Sequence, residues 1–110
     1  MRYEGGCKCG AVAFEVEGDL KKVMACNCSI CRPKGYLHWF VQDAQFKRTK
    51  TPDNLGEFTF NKNMLHHRFC QTCGVSPYVE GPGQVAVNAR CLLGVDLAAL
   101  EVEEFDGAHL

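Results

Sequence analysis

Several features that mark common protein classes are missing from this 110-residue sequence. No run approaches the roughly 20 apolar residues of a membrane-spanning helix, so we expect no membrane association. Thirteen acidic and twelve basic residues nearly balance, at a net charge of −1, so no basic surface is predicted for nucleic acid. Residues 1–7 have no apolar run and no small-residue cleavage site, which argues against export. We therefore expect a cytoplasmic protein in a reducing compartment.

Helical periodicity is also scarce, and short alternating patterns dominate instead. Val12, Phe14 and Val16 alternate with small or acidic residues, which is typical of a half-buried strand. Val85 and Val87 alternate in the same way near the end of the chain and continue to Ala89 as one core face. Further strands are predicted at residues 36–41, 46–49, 55–60 and 65–69.

Turns and one short helix separate these strands. Residues 51–54 and 81–83 contain the proline, glycine and asparagine that break a strand. Residues 96–100 predict a short helix with Asp96 as its N-cap. The sequence therefore predicts a single domain over residues 1–110, mainly β, built as a small antiparallel sheet structure with short helical turns.

Cysteine is the residue that this chain has in excess. Seven of its eight cysteines form three clusters, and Cys91 stands alone. A disulfide scaffold is one explanation for a short cysteine-rich chain. Residues 1–7 do not resemble a signal sequence, and Cys-x-Cys closes a ring too small for an easy bridge, so metal binding is favoured. The clusters are Cys7 with Cys9, Cys26 with Cys28 and Cys31, and Cys70 with Cys73.

Two of these clusters together predict a structural zinc site. Cys7 and Cys9 share a face of an extended segment, so both thiolates can point at one ion. Cys70 and Cys73 complete a set of four, and structural zinc has four protein ligands. A redox Cys-x-x-Cys is the alternative, although no βαβ pattern surrounds it. The same four thiolates would also accept iron.

The cluster of Cys26, Cys28 and Cys31 predicts a different kind of site, because no fourth cysteine accompanies it. Catalytic zinc has three protein ligands and one open position, which a substrate thiol can take. A thiol bound to zinc is deprotonated near neutral pH and becomes a strong nucleophile. The alternative is a second structural site, with its fourth ligand drawn from His38, His66, His67 or Cys91.

In order and spacing, the three motifs resemble the glutathione-dependent formaldehyde-activating enzyme family, which includes centromere protein V. The motifs span residues 6–10, 26–32 and 69–74. The resemblance implies a β-tent fold and two zinc ions per chain, one structural and one catalytic. It also implies a carbon–sulfur lyase that adds glutathione to formaldehyde, like an S-(hydroxymethyl)glutathione synthase, with the thiolate at the open zinc position. The partners would be a small thiol and an aldehyde.

Several residues outside the clusters are candidates for the same site. Arg32 and Lys34 follow Cys31 and are candidates for binding substrate carboxylates; a charged, solvated loop is the alternative. His66 or His67 is a candidate general acid, although a core or solvent role is commoner for histidine. Asn27 stands where the family commonly has a histidine.

Two further alternatives remain open. Cys91 is expected to be a small buried side chain at a strand end. A reactive late cysteine, as in methionine sulfoxide reductases of the B type, is the other option for this residue. The alternative to an enzyme is a non-catalytic binding module stabilised by zinc. Its distinguishing feature would be a closed second zinc site with His66 or His67 as the fourth ligand. The sequence leaves the oligomeric state open.

Overall fold

The alternating segments form ten short strands in a computed structural model that describes residues 1–59 and 65–109. The described chain also contains one helix, α1 (Cys31–Lys34), and 3₁₀ turns at Asp43–Gln45, Ala89–Cys91, Leu97–Ala99 and Gly107–His109. The strands are β1 (Arg2–Gly6), β2 (Ala13–Glu17), β3 (Lys22–Cys26), β4 (His38–Gln42), β5 (Phe46–Lys50), β6 (Gly56–Phe58), β7 (His66–Phe69), β8 (Tyr78–Gly81), β9 (Gln84–Asn88) and β10 (Glu101–Phe105).

The strands form two sheets. The smaller has the order β1-β2-β5, and the larger has the order β10-β3-β4-β9-β8-β7-β6. The pairing is antiparallel throughout except at one edge, where β10 lies parallel to β3. The prediction of a mainly β, antiparallel domain is therefore confirmed, with one parallel pair that the sequence pattern did not reveal.

A hydrophobic core holds the two sheets together. The predicted core positions Phe14 and Val16 of β2, and Val85 and Val87 of β9, are all buried in it. Phe14 stacks on Phe46 of β5 with ring centroids 5.0 Å apart. The alternation predicted from the sequence is thus the alternation that builds the core.

A second, smaller cluster lies on the other side of β8 and β9, because successive strand residues face opposite ways. Val79 and Ala86 face this cluster, whereas the neighbouring Tyr78, Val85 and Val87 face the main core. Cys31 and Tyr36 pack there, with Ile30 partly buried beside them. This side of the sheet carries the cluster of three cysteines.

Some predicted elements have different bounds in the structure. The strand expected over residues 55–60 is β6 (Gly56–Phe58), and residue 60 lies outside the described residues. Asp96 caps the expected helix by accepting a hydrogen bond from the Ala98 amide, and that helix is a single 3₁₀ turn. In the described part of the chain, no helix is long and apolar enough to cross a membrane.

Candidate metal centres and the adjoining cavity

The first centre is the four-cysteine set, which the fold assembles from the start and the middle of the sequence. The Sγ atoms of Cys7, Cys9, Cys70 and Cys73 all lie within 4.8 Å of one another. Cys9 Sγ is 3.7 Å from Cys7 Sγ and 3.5 Å from Cys70 Sγ. A tetrahedral ZnS₄ unit with Zn–S bonds of about 2.3 Å has sulfurs about 3.8 Å apart. Zinc therefore fits this set.

Two tight backbone turns aim these sulfurs at a common point. Gly10 and Gly74 have φ values of 85° and 82°, which a residue with a Cβ adopts only with strain. The Gly74 amide donates to the Cys70 carbonyl at 2.8 Å and closes the turn around Cys73. The Val12 amide lies 3.3 Å from Cys7 Sγ as a donor to sulfur. The glycine after each Cys pair is thus a geometric requirement of the site.

Backbone amides also control the charge of this set. Donation from the Val75 amide lowers the pKa of the Cys73 thiol to about 6, and the Cys73 amide lowers the pKa of Cys70. The Ala11 amide acts to lower the pKa of Cys9, but neighbouring thiols, led by Cys70, outweigh it and raise that pKa to about 11. Four thiolates at this distance repel one another, so a bound cation is what allows all four to be charged.

The second centre is the predicted three-cysteine set, formed by the end of β3 and the start of α1. The Sγ atoms of Cys26, Cys28 and Cys31 lie within 4.8 Å of one another. The first turn of α1 fixes this arrangement: the Arg32 amide donates to the Cys28 carbonyl at 3.0 Å, and the Cys31 amide lies 3.4 Å from Cys28 Sγ. Three soft sulfur donors suit zinc.

The thiols of this set differ in environment. Burial acts to raise the pKa of Cys28, but the amides of Cys31 and Ile30 outweigh burial and lower it. Burial, and then the neighbouring Cys28, raise the pKa of Cys31. Burial disfavours charge on sulfur, so a cation is required before Cys31 can be a thiolate. The donor set therefore fits a metal ion better than three free thiols.

Histidines adjoin the three-cysteine set without joining it. His38 Nε2 lies 3.4 Å from Cys31 Sγ, yet among the described residues the group of mutually close ligand atoms contains the three sulfurs alone. His66 faces outward and pairs with Glu57, as its position next to buried His67 predicts. A closed site would have His66 or His67 as its fourth ligand. Within residues 1–59 and 65–109, neither histidine joins the group of three sulfurs.

A cavity of about 380 Å³ lies against the three sulfurs. His38 and His67 contribute imidazoles to its wall, and Phe40 and Val79 contribute apolar surface. Burial lowers the pKa of His38 to about 4, with His67 adding to the effect, and burial also lowers the pKa of His67. Both imidazoles are therefore neutral at pH 7. His38, expected from the sequence as a possible fourth ligand, lines the cavity on the face of β4 that it shares with Phe40.

The C-terminal segment covers one side of this centre, which the sequence analysis missed. Asn27 holds it: its Nδ2 donates to Asp106 Oδ1 at 3.0 Å, and its Oδ1 accepts from the Ala108 amide at 2.9 Å. A Cβ on Gly107 would meet Cys26 Sγ at 2.5 Å, so only glycine allows this approach. Asn27, at a position where the resemblance predicted a histidine, thus holds the C-terminal segment against this centre.

The candidate carboxylate-binding residues lie on other surfaces. Lys34 donates to Ser76 Oγ at 3.1 Å and lies in a groove that none of the three clustered cysteines lines. Arg32 lies with Arg90 in a polar groove that Cys26 and Cys31 also line. Of the two candidates, Arg32 shares a groove with these cysteines, whereas Lys34 interacts with Cys31 only electrostatically.

Cys91 lies at the end of the 3₁₀ turn after β9, beyond the strand on which it was expected. It is half-buried and packs against the main core. Burial raises the pKa of its thiol to about 11, so it is a weak nucleophile at pH 7. This environment favours a packing role over a reactive one.

Two groups of converging cysteines on a small β framework define a β domain that can hold metal ions at two centres. The model of the glutathione-dependent formaldehyde-activating enzyme family matches residues 2–104. The chain belongs to that family, as the resemblance of its motifs predicted. It is also similar to a crystal structure of a Rhodobacter sphaeroides protein, with a TM-score of 0.80 and 28% identity, covering 91% of this chain and 99% of that one.

Proposed function

We propose that this chain is a zinc-dependent carbon–sulfur lyase that adds a small thiol to an aldehyde, with glutathione and formaldehyde as the family default. Residues 1–110 form its single domain, which works in the cytoplasm without nucleic acid or membrane. The observation that carries the proposal is the three-sulfur set without a fourth ligand among the described residues, open to a cavity that two histidines line.

Two zinc ions per chain have separate roles in this proposal. Cys7, Cys9, Cys70 and Cys73 hold a structural ion that fastens the start of the chain to its middle. Cys26, Cys28 and Cys31 hold the catalytic ion, which supplies Lewis acidity that favours the thiolate form of a substrate thiol.

The reaction forms one bond and moves one proton. The sulfur attacks the carbonyl carbon, an S–C bond forms, and the C=O π electrons move to oxygen. The thiol proton ends on that oxygen, so no oxidant or reductant is needed. We assign the proton transfer to His67, because its buried, neutral imidazole lines the cavity beside the sulfurs. It accepts the thiol proton and returns it to the alkoxide.

The other residues orient and enclose the reactants. Arg32 lies in the polar groove beside Cys26 and Cys31, where it can pair with a carboxylate of the thiol substrate. The segment held by Asn27 covers the three-cysteine set through Gly107 and limits the entry of water. Lys34 lines a neighbouring groove and lies within electrostatic range of Cys31 and His67, so we propose it as a second residue that pairs with a substrate carboxylate.

The test is the rate at which glutathione and formaldehyde exchange with S-hydroxymethylglutathione, measured by exchange NMR on zinc-loaded protein. Thiols add to formaldehyde unaided, so only a rate above this background counts. We expect acceleration by the native chain and none by the Cys26→Ala/Cys28→Ala double variant. A native rate equal to the background would leave the non-catalytic binding module as the better account.

The roles of Arg32 and His67 have separate readouts. Arg32→Ala is expected to raise KM for glutathione with zinc content unchanged, whereas His67→Gln is expected to lower kcat by about 100-fold. An unchanged KM in Arg32→Ala would remove the carboxylate-binding role. An unchanged kcat in His67→Gln would remove the proton-transfer role.

A further inference from the structure

The cavity beside the three sulfurs is much larger than formaldehyde requires. Its volume is about 380 Å³. One water molecule, with a single heavy atom, takes about 30 Å³ of liquid volume, and formaldehyde has only two heavy atoms. A cavity of this size falls within the range of sites that bind small organic molecules. A substrate that fills it must have a carbon chain.

The lining of the cavity indicates the chemistry of that chain. Ile30 and Phe105 line the cavity with the sulfurs, Phe40 and Leu65 line it and are half-exposed, and Ala86 lines it from the sheet. Ala86 is small and almost fully buried, so it leaves space above β9 where a larger side chain would fill the cavity. Apolar surface that is covered by an apolar ligand adds binding free energy in proportion to its area.

Polar groups also lie beside these cysteines. Arg32 and Arg90, together with Glu104 and Asp106, line a second groove, and Cys26 and Cys31 line both this groove and the apolar cavity. The centre therefore adjoins one charged surface and one apolar surface. A thiol with carboxylate and ammonium groups matches the charged groove, which leaves the apolar cavity for the other reactant.

We propose that the apolar cavity receives the carbon chain of an apolar aldehyde of about six carbons, making such an aldehyde, rather than formaldehyde, the preferred acceptor. The proposal rests on the lyase function given above. The carbonyl carbon lies at the sulfurs, the chain extends past Phe40 and Ala86, and the product is the hemithioacetal of the thiol. The bond formed and the proton moved are those of the formaldehyde reaction.

Steady-state kinetics with glutathione and either hexanal or formaldehyde test the preference. Each catalysed rate is divided by the uncatalysed rate for the same pair, because formaldehyde is the more reactive aldehyde without an enzyme. We expect this ratio to be at least tenfold larger for hexanal, as discrimination by a few methylene groups allows. A larger ratio for formaldehyde would overturn the inference and leave the proposed lyase function standing. Background rates for both aldehydes would overturn the lyase function, and the inference with it.

Two substitutions locate the effect in the cavity. Ala86→Leu places three more carbons in it, so the preference for hexanal over formaldehyde is expected to fall about tenfold. Phe40→Ala removes wall at a half-exposed position, where folding is less at risk, and is expected to lower the preference too. Ala98→Leu, on an exposed 3₁₀ turn, is the matched control and should change nothing. An unchanged preference in both cavity variants would overturn the assignment.

Binding gives a readout that does not depend on turnover. Hexanol is an unreactive analogue of hexanal, and its contact with zinc-loaded protein is measurable by saturation-transfer NMR. We expect saturation transfer to hexanol from the native protein and from Ala98→Leu, and clearly weaker transfer from Ala86→Leu. Equal saturation in all three proteins would place the alcohol elsewhere and contradict the proposed cavity.

Discussion

Removing the N-terminal half of the four-cysteine set should cost about twice as much stability as an equal change at the three-cysteine set. The perturbation is the double variant Cys7→Ala/Cys9→Ala. Cys9 is exposed and Cys7 half-buried, so the main loss is the metal link and not core packing. That link joins Cys9 to Cys70 across 61 positions of sequence.

The length of the closed loop sets the expected magnitude. The chain-entropy relation used for disulfide cross-links gives about 4 kcal/mol for closing 61 residues. The same relation gives about 2 kcal/mol for the short loop from Cys26 to Cys31. A domain of this size has a total stability of about 5–15 kcal/mol. Losing the long link therefore removes a large share of this stability, and losing the short one removes about half as much.

Urea unfolding in the presence of a reductant measures both effects. The free energy of unfolding is expected to fall by about 4 kcal/mol in Cys7→Ala/Cys9→Ala and by at most about 2 kcal/mol in Cys26→Ala/Cys28→Ala, the matched control. A chelator should lower the free energy of unfolding of the native chain strongly and that of Cys7→Ala/Cys9→Ala only slightly. Equal losses in the two variants, or a native chain indifferent to the chelator, would refute the reasoning.

Three more outcomes are expected. Gly107→Ala brings a methyl group within 2.5 Å of Cys26 Sγ, so metal binding at the three-cysteine set should weaken about tenfold in competition with a chromophoric chelator. Asn27→Ala removes both hydrogen bonds to the C-terminal segment, and limited proteolysis should cleave that segment faster. Burial acts to raise the pKa of Glu80, but Arg68 and then Arg48 outweigh it, so the pKa lies below its ordinary value of 4.5. The carboxylate therefore stabilises the fold above pH 4.5 and loses this effect as the pH falls through its lowered pKa. Glu80→Gln should cost about 1 kcal/mol at pH 7 by urea unfolding, and the difference from the native chain should vanish in acid.

The features predictable from the sequence are those with a local physical cause. Strand alternation placed Phe14, Val16, Val85 and Val87 in the core, because a period of two has one structural meaning. The convergence of Cys9 and Cys70 was also predictable, although 61 positions separate them, because four thiolates at these spacings satisfy one tetrahedral ion.

The missed features depend on contacts that no local pattern encodes. β10 is an exposed, largely acidic edge strand without clear alternation, so neither its existence nor its parallel pairing to β3 could be inferred. The hydrogen bonds of Asn27 with Asp106 and Ala108 join residues about 80 positions apart. They form between polar groups that have many possible partners. The approach of His38 to Cys31 depends on how α1 packs against β4.

Native mass spectrometry of reduced protein purified without chelator tests the central claim most directly, because it counts the metal ions on each folded chain. Two zinc ions are predicted for the native chain and one for the Cys26→Ala/Cys28→Ala variant. A native chain with a single zinc ion, and the same count in the variant, would contradict the account of the three-cysteine set as a metal centre.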